Sequence, residues 1–546
     1  MNRRELLKST AAGIALSQLP WSVKAFAGTS TSHFSELTRS AASPISLHTG
    51  SFASTVFNGD NEDLPHDVLW NKPGFLERMG GLPKPTESYD LVVIGGGIAG
   101  LLAAHWAPSK NVLLLEQAPR FGGLSVGEEY KGHRYSQGAA YFCATDDGSA
   151  LDQLLKELDL WKHTRTEEQA PVLFQGKLHE DFWNAEMRPS ARADFDRVKA
   201  KFTEIYNESY PEIPLSDDSE EAARVRELDK ITFKVWLERE FGTIDPLILE
   251  FIQIYCWSSF NASIDEISAA QGLNFVAGEM GGIVAFPGGN SAISQALFEK
   301  MSTDRSRNLV AHAFVVDIKV MSDRVRVSYF KDGKITTIDA KKALFAAPKF
   351  LAKKLIDDLP AAMDAAIKQI SYRAYVVANV MLDSRIENPF YDAFSLEGKV
   401  PEPPSPLSQD GRRPYTDILM ADWASGAQGD TNVLSLYRPL PFDGARQFLF
   451  HPDAHTKARN QVDELLRKDL VTMGVPAESI QGIRLTRWGH ALPVAGKGII
   501  ASGAAETIAK GFSDRLQFIG QDVWANPAFE TAFATAERAV AKLKKA

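Results

Sequence analysis

Cysteine is scarce in this sequence of 546 residues, which contains Cys143 and Cys256 and no others. The two could form one disulfide, but most of the stability must come from a hydrophobic core. No C-x-x-C-H run is present, which excludes a c-type haem. A chain of this length exceeds one core, so two or more domains are expected.

Three other features are absent. The sequence has no basic block of the kind that binds nucleic acid, no spaced set of metal-ligand residues, and no apolar run beyond the N-terminus that is long enough to span a bilayer. We therefore expect no nucleic-acid partner, no metal, and no integral membrane segment in the mature protein. The modest net charge of −9 either favours a cationic substrate through the long-range field or serves solubility alone.

The N-terminus has the pattern of an export signal. Arg3 and Arg4 are followed by Leu6-Leu7-Lys8, a mildly apolar stretch and an A-x-A site that ends at Ala27. This arrangement resembles a twin-arginine signal peptide over residues 1–27, which would carry a folded protein to the periplasm or beyond. A basic N-terminus followed by a short core helix is the alternative.

A dinucleotide-binding unit is predicted around residue 95. The apolar, β-branched run at 91–94 is typical of a buried parallel strand, and three glycines follow it at G-x-G-x-x-G spacing: Gly95, Gly97 and Gly100. The first glycine allows a tight turn from strand to helix. The second lets a pyrophosphate approach the helix N-terminus, and the third lets the helix pack close to the sheet.

The next apolar strand ends on Glu116, 21 residues after Gly95, where a carboxylate can accept hydrogen bonds from a ribose diol. Glu116 also opens an E-x-x-x-R-x-G-G run with Arg120, Gly122 and Gly123. On these motifs the chain resembles the flavin amine oxidase superfamily. Its members include monoamine oxidases, polyamine oxidases and dehydrogenases, amino-acid oxidases and carotenoid desaturases. In that superfamily the arginine and the glycine pair fold a loop over the FAD diphosphate.

The resemblance implies an α/β protein of two domains. One is a Rossmann-like FAD-binding domain of the glutathione-reductase type, and the other is an α+β substrate domain. Monoamine oxidases attach FAD through a C-terminal cysteine. Because the last two hundred residues here contain no cysteine, FAD is expected to bind non-covalently. The exported members that are similar to spermidine dehydrogenase resemble this chain best.

The order of the motifs predicts how the domains are divided along the chain. A Ser-, Thr-, Gly- and Pro-rich arm follows the signal peptide, and the FAD-binding domain is expected in three parts separated by two parts of the substrate domain. The predicted boundaries are 28–85 for the arm, 86–147, 283–362 and 481–546 for the FAD-binding domain, and 148–282 (mainly helical) and 363–480 for the substrate domain.

Further matches to the superfamily extend the cofactor site. Gly138-Ala139 matches a segment that runs beneath the isoalloxazine ring in the superfamily. The Val315 backbone matches a contact to the adenine, and Asp522 matches the acid that binds the ribityl chain. Phe529 matches the start of a helix whose N–H groups face the flavin pyrimidine, where they would stabilise the anionic reduced flavin. The full predicted set is Gly95, Gly97, Ile98, Ala99, Gly100, Glu116, Gln117, Arg120, Gly122, Gly123, Leu124, Gly138, Ala139, Val315, Gly520, Asp522 and Phe529.

Three residues are predicted to act in catalysis. Lys354 lies near the offset at which related oxidases hold a water against flavin N5 with a lysine, although a solvent-exposed helix start is the alternative. Trp488 lies in an Arg-Trp-Gly-His run, as in spermidine dehydrogenases, and matches a tryptophan packed near the flavin. Tyr141 is either a substrate contact or a core aromatic.

The aromatic cage of the monoamine oxidases is not evident in the sequence. One of its two tyrosines corresponds to Ala528, and residues 491–498, where the other is expected, contain no aromatic side chain. Trp524 and Phe529 are the candidate replacements for one wall. The pattern therefore disfavours simple monoamines as substrates.

Local patterns predict further elements. The alternation from Tyr372 to Leu382 predicts a strand, residues 310–318 predict another, and the amphipathic stretch 455–473 predicts a helix.

The predicted function is FAD-dependent oxidation of a C–N bond of an amine, with a polyamine as the candidate. Hydride passes to flavin N5, and oxygen or a redox carrier takes the electrons. No general base is required, because a neutral amine supplies its own lone pair. C–C desaturation of the carotenoid-desaturase type and a flavin-binding protein without turnover are the alternatives. The oligomeric state is left open, with a homodimer as the candidate.

Overall fold

The computed structural model describes residues 42–60, 63–216, 219–402, 413–425 and 430–545. The predicted signal peptide at 1–27 and the first part of the predicted arm lie outside these ranges. Within them, two large β-sheets are covered by helices. The predicted α/β class with two domains is confirmed.

Seven of the described strands form the sheet that carries the glycine turn. The predicted apolar run at 91–94 lies near its middle and is buried on both faces: Val92 and Ile94 pack into one core cluster, Leu91 and Val93 into another. A parallel core is extended by antiparallel strands at one edge. In spatial order the strands are Arg307–Val310, Val112–Leu115, Glu87–Ile94, Lys334–Phe345, Val325–Lys331 and Phe314–Val320, with Leu516–Phe518 paired to the end of Lys334–Phe345.

Helices cover this sheet on both faces. On one face Ile98–Trp106 packs against Phe529–Lys545, with the rings of Trp106 and Phe533 5.1 Å apart. Other described helices also contribute buried side chains to the two clusters: Ala150–Glu157, Glu220–Asp229, Ala269–Val276, Ser291–Thr303, Ala352–Leu355, Ala361–Ile367 and Ala504–Lys510.

Eight of the described strands form the second sheet. Its strand Tyr372–Leu382 has the predicted bounds, but it is buried on both faces because helix Ala454–Thr472, also predicted, packs against one of them. In spatial order the strands are Lys177–His179, Val172–Phe174, Asp392–Leu396, Asp417–Met420, Asn432–Pro439, Tyr372–Leu382, Ile480–Pro493 and Asn58–Gly59.

A helical layer completes the second domain. Helix Pro246–Phe260 is almost entirely buried and mostly apolar. Asp245 caps it by accepting from the Leu247 N–H, and Asn261 ends it with φ of 53°. Stacked rings of Phe182 and Phe251, 4.1 Å apart, lie at its packing surface. The neighbouring helices are Arg192–Glu208, Phe233–Phe241 and Ala269–Val276.

The described part of the arm contacts both domains. Strand Asn58–Gly59 pairs with Ile480–Pro493 at the edge of the eight-stranded sheet. Helices Asp63–Trp70 and Lys72–Arg78 pack on strand Phe314–Val320 of the other sheet, where Lys72 Nζ lies 2.7 Å from Asp317 Oδ1. The arm therefore bridges the two sheets.

The described chain also contains two smaller sheets of three strands each. One consists of Ile45–Leu47, Gly127–Tyr130 and His133–Ser136, and the other of Tyr141–Cys143, Ile283–Ala285 and Arg165–Glu167. The short helix Ala445–Phe448 lies beside the second large sheet.

Two details differ from the sequence patterns. The predicted strand at 310–318 is divided into two strands, since His312 takes a left-handed conformation with φ of 56°. Strand Ile480–Pro493 pairs in the eight-stranded sheet, although the predicted third part of the FAD-binding domain begins at 481. The segment boundaries as a whole stay a prediction.

Candidate functional site

A cavity of about 2090 Å³ is lined by residues from both large sheets. Pockets for one drug-sized ligand have volumes of about 300–1,000 Å³, so this cavity has room for a dinucleotide and a second molecule. Its wall includes all three predicted catalytic residues and every predicted cofactor residue except Gly100. The fold therefore brings together residues that lie more than four hundred positions apart in sequence.

The glycine turn shapes one end of the cavity. Gly95 has φ of 103°, in the left-handed region that favours glycine. A Cβ on Gly100 would lie 1.9 Å from the Gly95 carbonyl oxygen, so helix Ile98–Trp106 can approach this closely only with glycine there. Among the described residues no side chain caps this helix at Gly97, which leaves its first N–H groups available to an anion.

The buried Glu116 carboxylate is held beside this turn. Its Oε2 accepts from the Gly96 N–H at 2.6 Å and its Oε1 from the Ala118 N–H at 2.7 Å. Burial raises the pKa of Glu116, against the lowering effect of these N–H groups. Each carboxylate oxygen has two lone pairs, so Glu116 can still accept hydrogen bonds from ribose hydroxyls.

The loop with Arg120 closes over the turn. The Gly122 N–H donates to the Gly96 carbonyl at 2.8 Å, and a Cβ on Gly123 would lie 2.9 Å from the Gly97 Cα. Arg120 itself donates to the Gly127 carbonyl at 2.9 Å and to Gln137 Oε1 at 2.7 Å. Arg120 thus fixes the loop to the next strands, and the loop lines the cavity beside Gln117 and Leu124.

Asp522 is part of a buried network that the sequence did not indicate. It accepts from the Lys349 ammonium at 2.8 Å, from the Lys349 N–H at 2.8 Å and from the Tyr372 hydroxyl at 2.7 Å. Burial lowers the pKa of Lys349. The predicted Lys354, five residues later, is instead exposed on the cavity wall. Lys349 was missed because nothing local distinguishes a buried lysine from a surface one.

An aromatic wall stands on the second sheet, formed by Tyr375, Tyr437 and Trp488. Tyr375 pairs with Trp488 and Val377 with Tyr437 across adjacent strands, so all three aromatic side chains lie on one face. The rings of Tyr375 and Tyr437 are 5.7 Å apart at 88°. The two tyrosines were missed because their proximity depends on strand register.

This wall is joined to the predicted flavin segment. The Trp488 indole N–H donates to the Gln137 carbonyl at 2.8 Å, and the Tyr437 hydroxyl donates to the Gly138 carbonyl at 2.8 Å. The Ala139 N–H in turn donates to the Leu124 carbonyl at 2.8 Å. The segment beneath the expected ring and the aromatic wall are therefore fixed to each other.

The two suggested cage replacements differ. Trp524 is buried and lies outside the cavity wall, where its carbonyl accepts from Gln271 Nε2 at 3.0 Å; it is not a cage residue. Phe529 lines the cavity at the start of helix Phe529–Lys545, as predicted, and stacks on Phe142 with ring centroids 5.1 Å apart. Val315 lines the cavity on the edge strand Phe314–Val320, and Gly520, with φ of 123°, lies against Asp522.

A cluster of buried carboxyl groups lies near Tyr141. Burial raises the pKa of Glu279 to about 8 and the pKa of Glu167 to about 7. It raises the pKa of Asp417 to about 7 and holds that of Asp392 well above its ordinary value. Of these four, Glu279 lines the cavity. A cation beside Glu279 would favour its ionised form.

Three further observations concern the described part of the chain. Cys143 and Cys256 are free thiols. In the same ranges no group of three His, Cys, Asp or Glu side chains is arranged to hold a metal ion. None of the helices seen there combines the length and the apolarity needed to cross a membrane.

Comparison with solved structures identifies the fold. Wild-type putrescine oxidase bound to putrescine superposes with a TM-score of 0.64 and 16% identity, covering 85% of this chain and all of that one. Cyclohexylamine oxidase from Brevibacterium oxydans gives a TM-score of 0.56 at 16% identity, over 84% of this chain and 99% of that one. At such identities the likeness shows the shared two-domain fold.

Sequence comparison identifies relatives and a family. The oxidoreductase PigB of Serratia sp. is 25% identical over 494 residues, covering 80% of this chain and 72% of that protein. An L-amino acid dehydrogenase of Synechocystis sp. is 26% identical over 240 residues, covering 39% of this chain and 50% of that protein. The pattern of the flavin-containing amine oxidoreductases matches residues 98–540. The chain is therefore an oxidoreductase that belongs to the family of flavin-containing amine oxidoreductases.

Proposed function

We propose that this enzyme binds FAD non-covalently and oxidises a C–N bond of an amine, with a polyamine as the candidate substrate. The observation that carries the proposal is that one cavity contains the glycine turn, the aromatic wall and Glu279. When bound, FAD supplies the two-electron acceptor, which takes a hydride from the carbon beside the amine nitrogen at N5.

The residues present fit FAD. The uncapped helix start at Ile98 would bind the FAD diphosphate. Glu116 would accept hydrogen bonds from the ribose, and the Val315 backbone would contact the adenine. Asp522 faces the cavity from a network that keeps its carboxylate in place, where it would accept from the ribityl chain. With no cysteine after Cys256, the C-terminal region offers no thiol for a cysteinyl link to FAD.

The aromatic wall would position the amine. Trp488 and Tyr437 provide flat apolar surfaces that orient a neutral amine and exclude water, while Tyr141 lines the same cavity. Their anchoring to Gln137 and Gly138 holds them in register with the segment beneath the flavin. Lys354, whose side chain reaches the cavity wall, would hold a water near the reacting atoms.

The carboxyl cluster supports a substrate with a second, cationic nitrogen. Glu279 is the member on the cavity wall, and Glu167, Asp392 and Asp417 lie behind it. Their mutual repulsion is relieved when a positive charge approaches. A diamine or polyamine can bring one neutral nitrogen to the aromatic wall while its distal ammonium lies beside Glu279.

The first test is an anaerobic panel of diamines, polyamines, monoamines and amino acids, read by bleaching of flavin absorbance. We expect rapid bleaching by a diamine or polyamine, because such a substrate contacts both the aromatic wall and Glu279. Bleaching only by polyenes or cyclic ketones would replace the proposal with C–C desaturation. No bleaching by any compound would indicate a flavin-binding protein without turnover. Reoxidation of the reduced enzyme with oxygen or a quinone then identifies the acceptor.

Replacing residues on the cavity wall should slow the reaction itself. Lys354→Met and Trp488→Ala are expected to lower the rate constant of flavin reduction by about tenfold or more, through loss of a positioned water and of an orienting surface. The matched control is Lys353→Met, which alters an exposed neighbour outside the cavity. Stopped-flow reduction measures the rates. A Lys354→Met rate equal to that of the control would remove Lys354 from the mechanism.

Glu279→Gln should separate diamines from monoamines. Loss of the carboxylate is expected to raise KM for a diamine about tenfold while leaving KM for a monoamine of equal length within about twofold. Steady-state kinetics measure both, with the exposed Glu387→Gln as control. Equal effects on the two substrates would contradict a role in binding the distal nitrogen.

The same variant tests the raised pKa. In the folded state Glu279 keeps its proton up to about pH 8, whereas the unfolded chain releases it near pH 4.5. The folded state then binds more protons, so stability falls as the pH rises from about 4.5 to 8. Glu279→Gln should therefore flatten the decrease in Tm between pH 5 and pH 8. An unchanged slope would contradict the assignment.

We also propose export through the twin-arginine pathway, on the evidence of Arg3, Arg4 and the A-x-A site ending at Ala27. Lysine at both arginine positions should leave an uncleaved precursor in the cytoplasm. The wild type should appear outside it, shortened by about 27 residues. Cell fractionation and N-terminal sequencing make the measurement. An unprocessed wild type in the cytoplasm would contradict the proposal.

A further inference from the structure

One part of the cavity wall is cationic and has no role in the proposed reaction. Arg446, in helix Ala445–Phe448, and His490, on strand Ile480–Pro493, both line the cavity. His490 lies two residues after Trp488, where the pairing of this strand with Tyr372–Leu382 is irregular, and both residues line the cavity. The guanidinium Nη1 of Arg446 donates a hydrogen bond to Nε2 of His490.

The imidazole of His490 is neutral in this position. Burial, the charge of Arg446 and that of His66 together lower the pKa of His490 to about 3. Because Nε2 accepts from Arg446, the ring proton is on Nδ1. The ring also stacks on Phe350, with centroids 4.4 Å apart at 28°. His490 therefore acts as a fixed, uncharged acceptor that orients the guanidinium.

Arg446 has no counter-ion among the described residues. The two most buried arginines of the described ranges contact carboxylates: Arg484 lies 3.0 Å from Glu128 Oε1, and Arg373 lies 2.6 Å from Glu266 Oε1. Half-buried Arg438, which has no carboxylate partner in those ranges, donates instead to a carbonyl oxygen and an amide oxygen. No carboxylate of the described chain lies within 4 Å of the Arg446 guanidinium, and burial lowers its pKa. The nearby Asp60 carboxylate instead accepts from the Gly489 N–H.

The unused donors have a definite shape. His490 occupies Nη1, and the Nε–Nη2 edge of the guanidinium is left without a partner in the described chain. That edge presents two parallel N–H donors, which match the two oxygens of a carboxylate. The ring of Phe350, which stacks on His490, lines the cavity and supplies a flat apolar surface there.

We propose that Arg446, oriented by His490, forms an anion subsite that binds the carboxylate of a small organic acid. The planar ring of Phe350 lies against His490 at the subsite, so the acid that it takes carries an apolar body rather than a second charge. The subsite goes beyond the proposed amine oxidation: it is a second recognition element in the same cavity, and its occupancy does not require the flavin to be reduced.

Calorimetric titration of the purified holoenzyme with benzoate tests the subsite directly. We expect one benzoate per chain, and no measurable heat from benzamide, which has the same shape without the charge. Arg446→Gln should weaken benzoate binding roughly 10- to 100-fold, the effect of losing a charge-assisted pair of hydrogen bonds. Arg446→Lys, which keeps the charge but loses the planar edge, should lie between the wild type and Arg446→Gln. Arg385→Gln, at an exposed arginine, should bind as the wild type does.

The outcomes are separable from those of the proposed reaction. Equal binding of benzoate and benzamide to the wild type would overturn the proposed subsite. This test does not depend on whether the variants fold. An unchanged affinity in Arg446→Gln would also overturn the subsite, as would the absence of benzoate binding at millimolar concentration. An amine that bleaches the flavin while benzoate fails to bind would leave amine oxidation intact and remove the subsite alone. Benzoate binding without bleaching by any amine would support the subsite and contradict amine oxidation.

Discussion

The close contact between Gly100 and the Gly95 carbonyl is the constraint on which the site depends. A Cβ at Gly100 would lie 1.9 Å from that oxygen, so the helix can lie this near the strand only because the side chain is absent. The contact brings the helix start and the Glu116 carboxylate to the same end of the cavity. The loop after Arg120 then closes on the turn through Gly122 and Gly123. At each of these positions one backbone segment lies directly against another, which explains why glycine is found there.

Hydrogen bonds join the aromatic wall of the second sheet to the segment that the Arg120 loop also contacts. Trp488 and Tyr437 donate to consecutive carbonyls, those of Gln137 and Gly138, and Arg120 donates to the side chain of Gln137. The segment Gln137-Gly138 therefore contacts the Arg120 loop on one side and the aromatic wall on the other. Under the proposed function, these hydrogen bonds would fix the position of a substrate on the aromatic wall relative to the flavin.

Charge is distributed unevenly around the cavity. Buried carboxyl groups with raised pKa values surround Glu279, while the unpaired Arg446 is held by a neutral His490 elsewhere on the wall. The carboxyl groups retain protons that a bound cation would displace, whereas Arg446 keeps its charge without a carboxylate partner in the described chain. Under the two proposals, a ligand of opposite sign would stabilise each of them. The two proposals therefore give the cavity one subsite for a cation and another for an anion.

The sequence predicts the parts of the site that are local in the chain. The glycine turn, Glu116 and the Arg120 loop occupy fewer than 35 residues, so their spacing alone specifies the geometry. Tyr375 and Tyr437 become neighbours only through strand pairing, and the burial of Lys349 depends on Asp522, 173 positions away. The suggestion of Trp524 for the cage was wrong for the same reason: sequence offset does not report which way a side chain points.

The flavin content of the purified protein tests the central claim most directly. Apoprotein titrated with FAD should bind one equivalent and regain a flavin absorbance band. Gly97→Val, which places a side chain where the diphosphate must approach, should abolish this uptake while the fold, followed by circular dichroism, is retained. Wild-type apoprotein that folds but takes up no FAD, or a Gly97→Val variant that binds FAD as tightly as the wild type, would contradict the account.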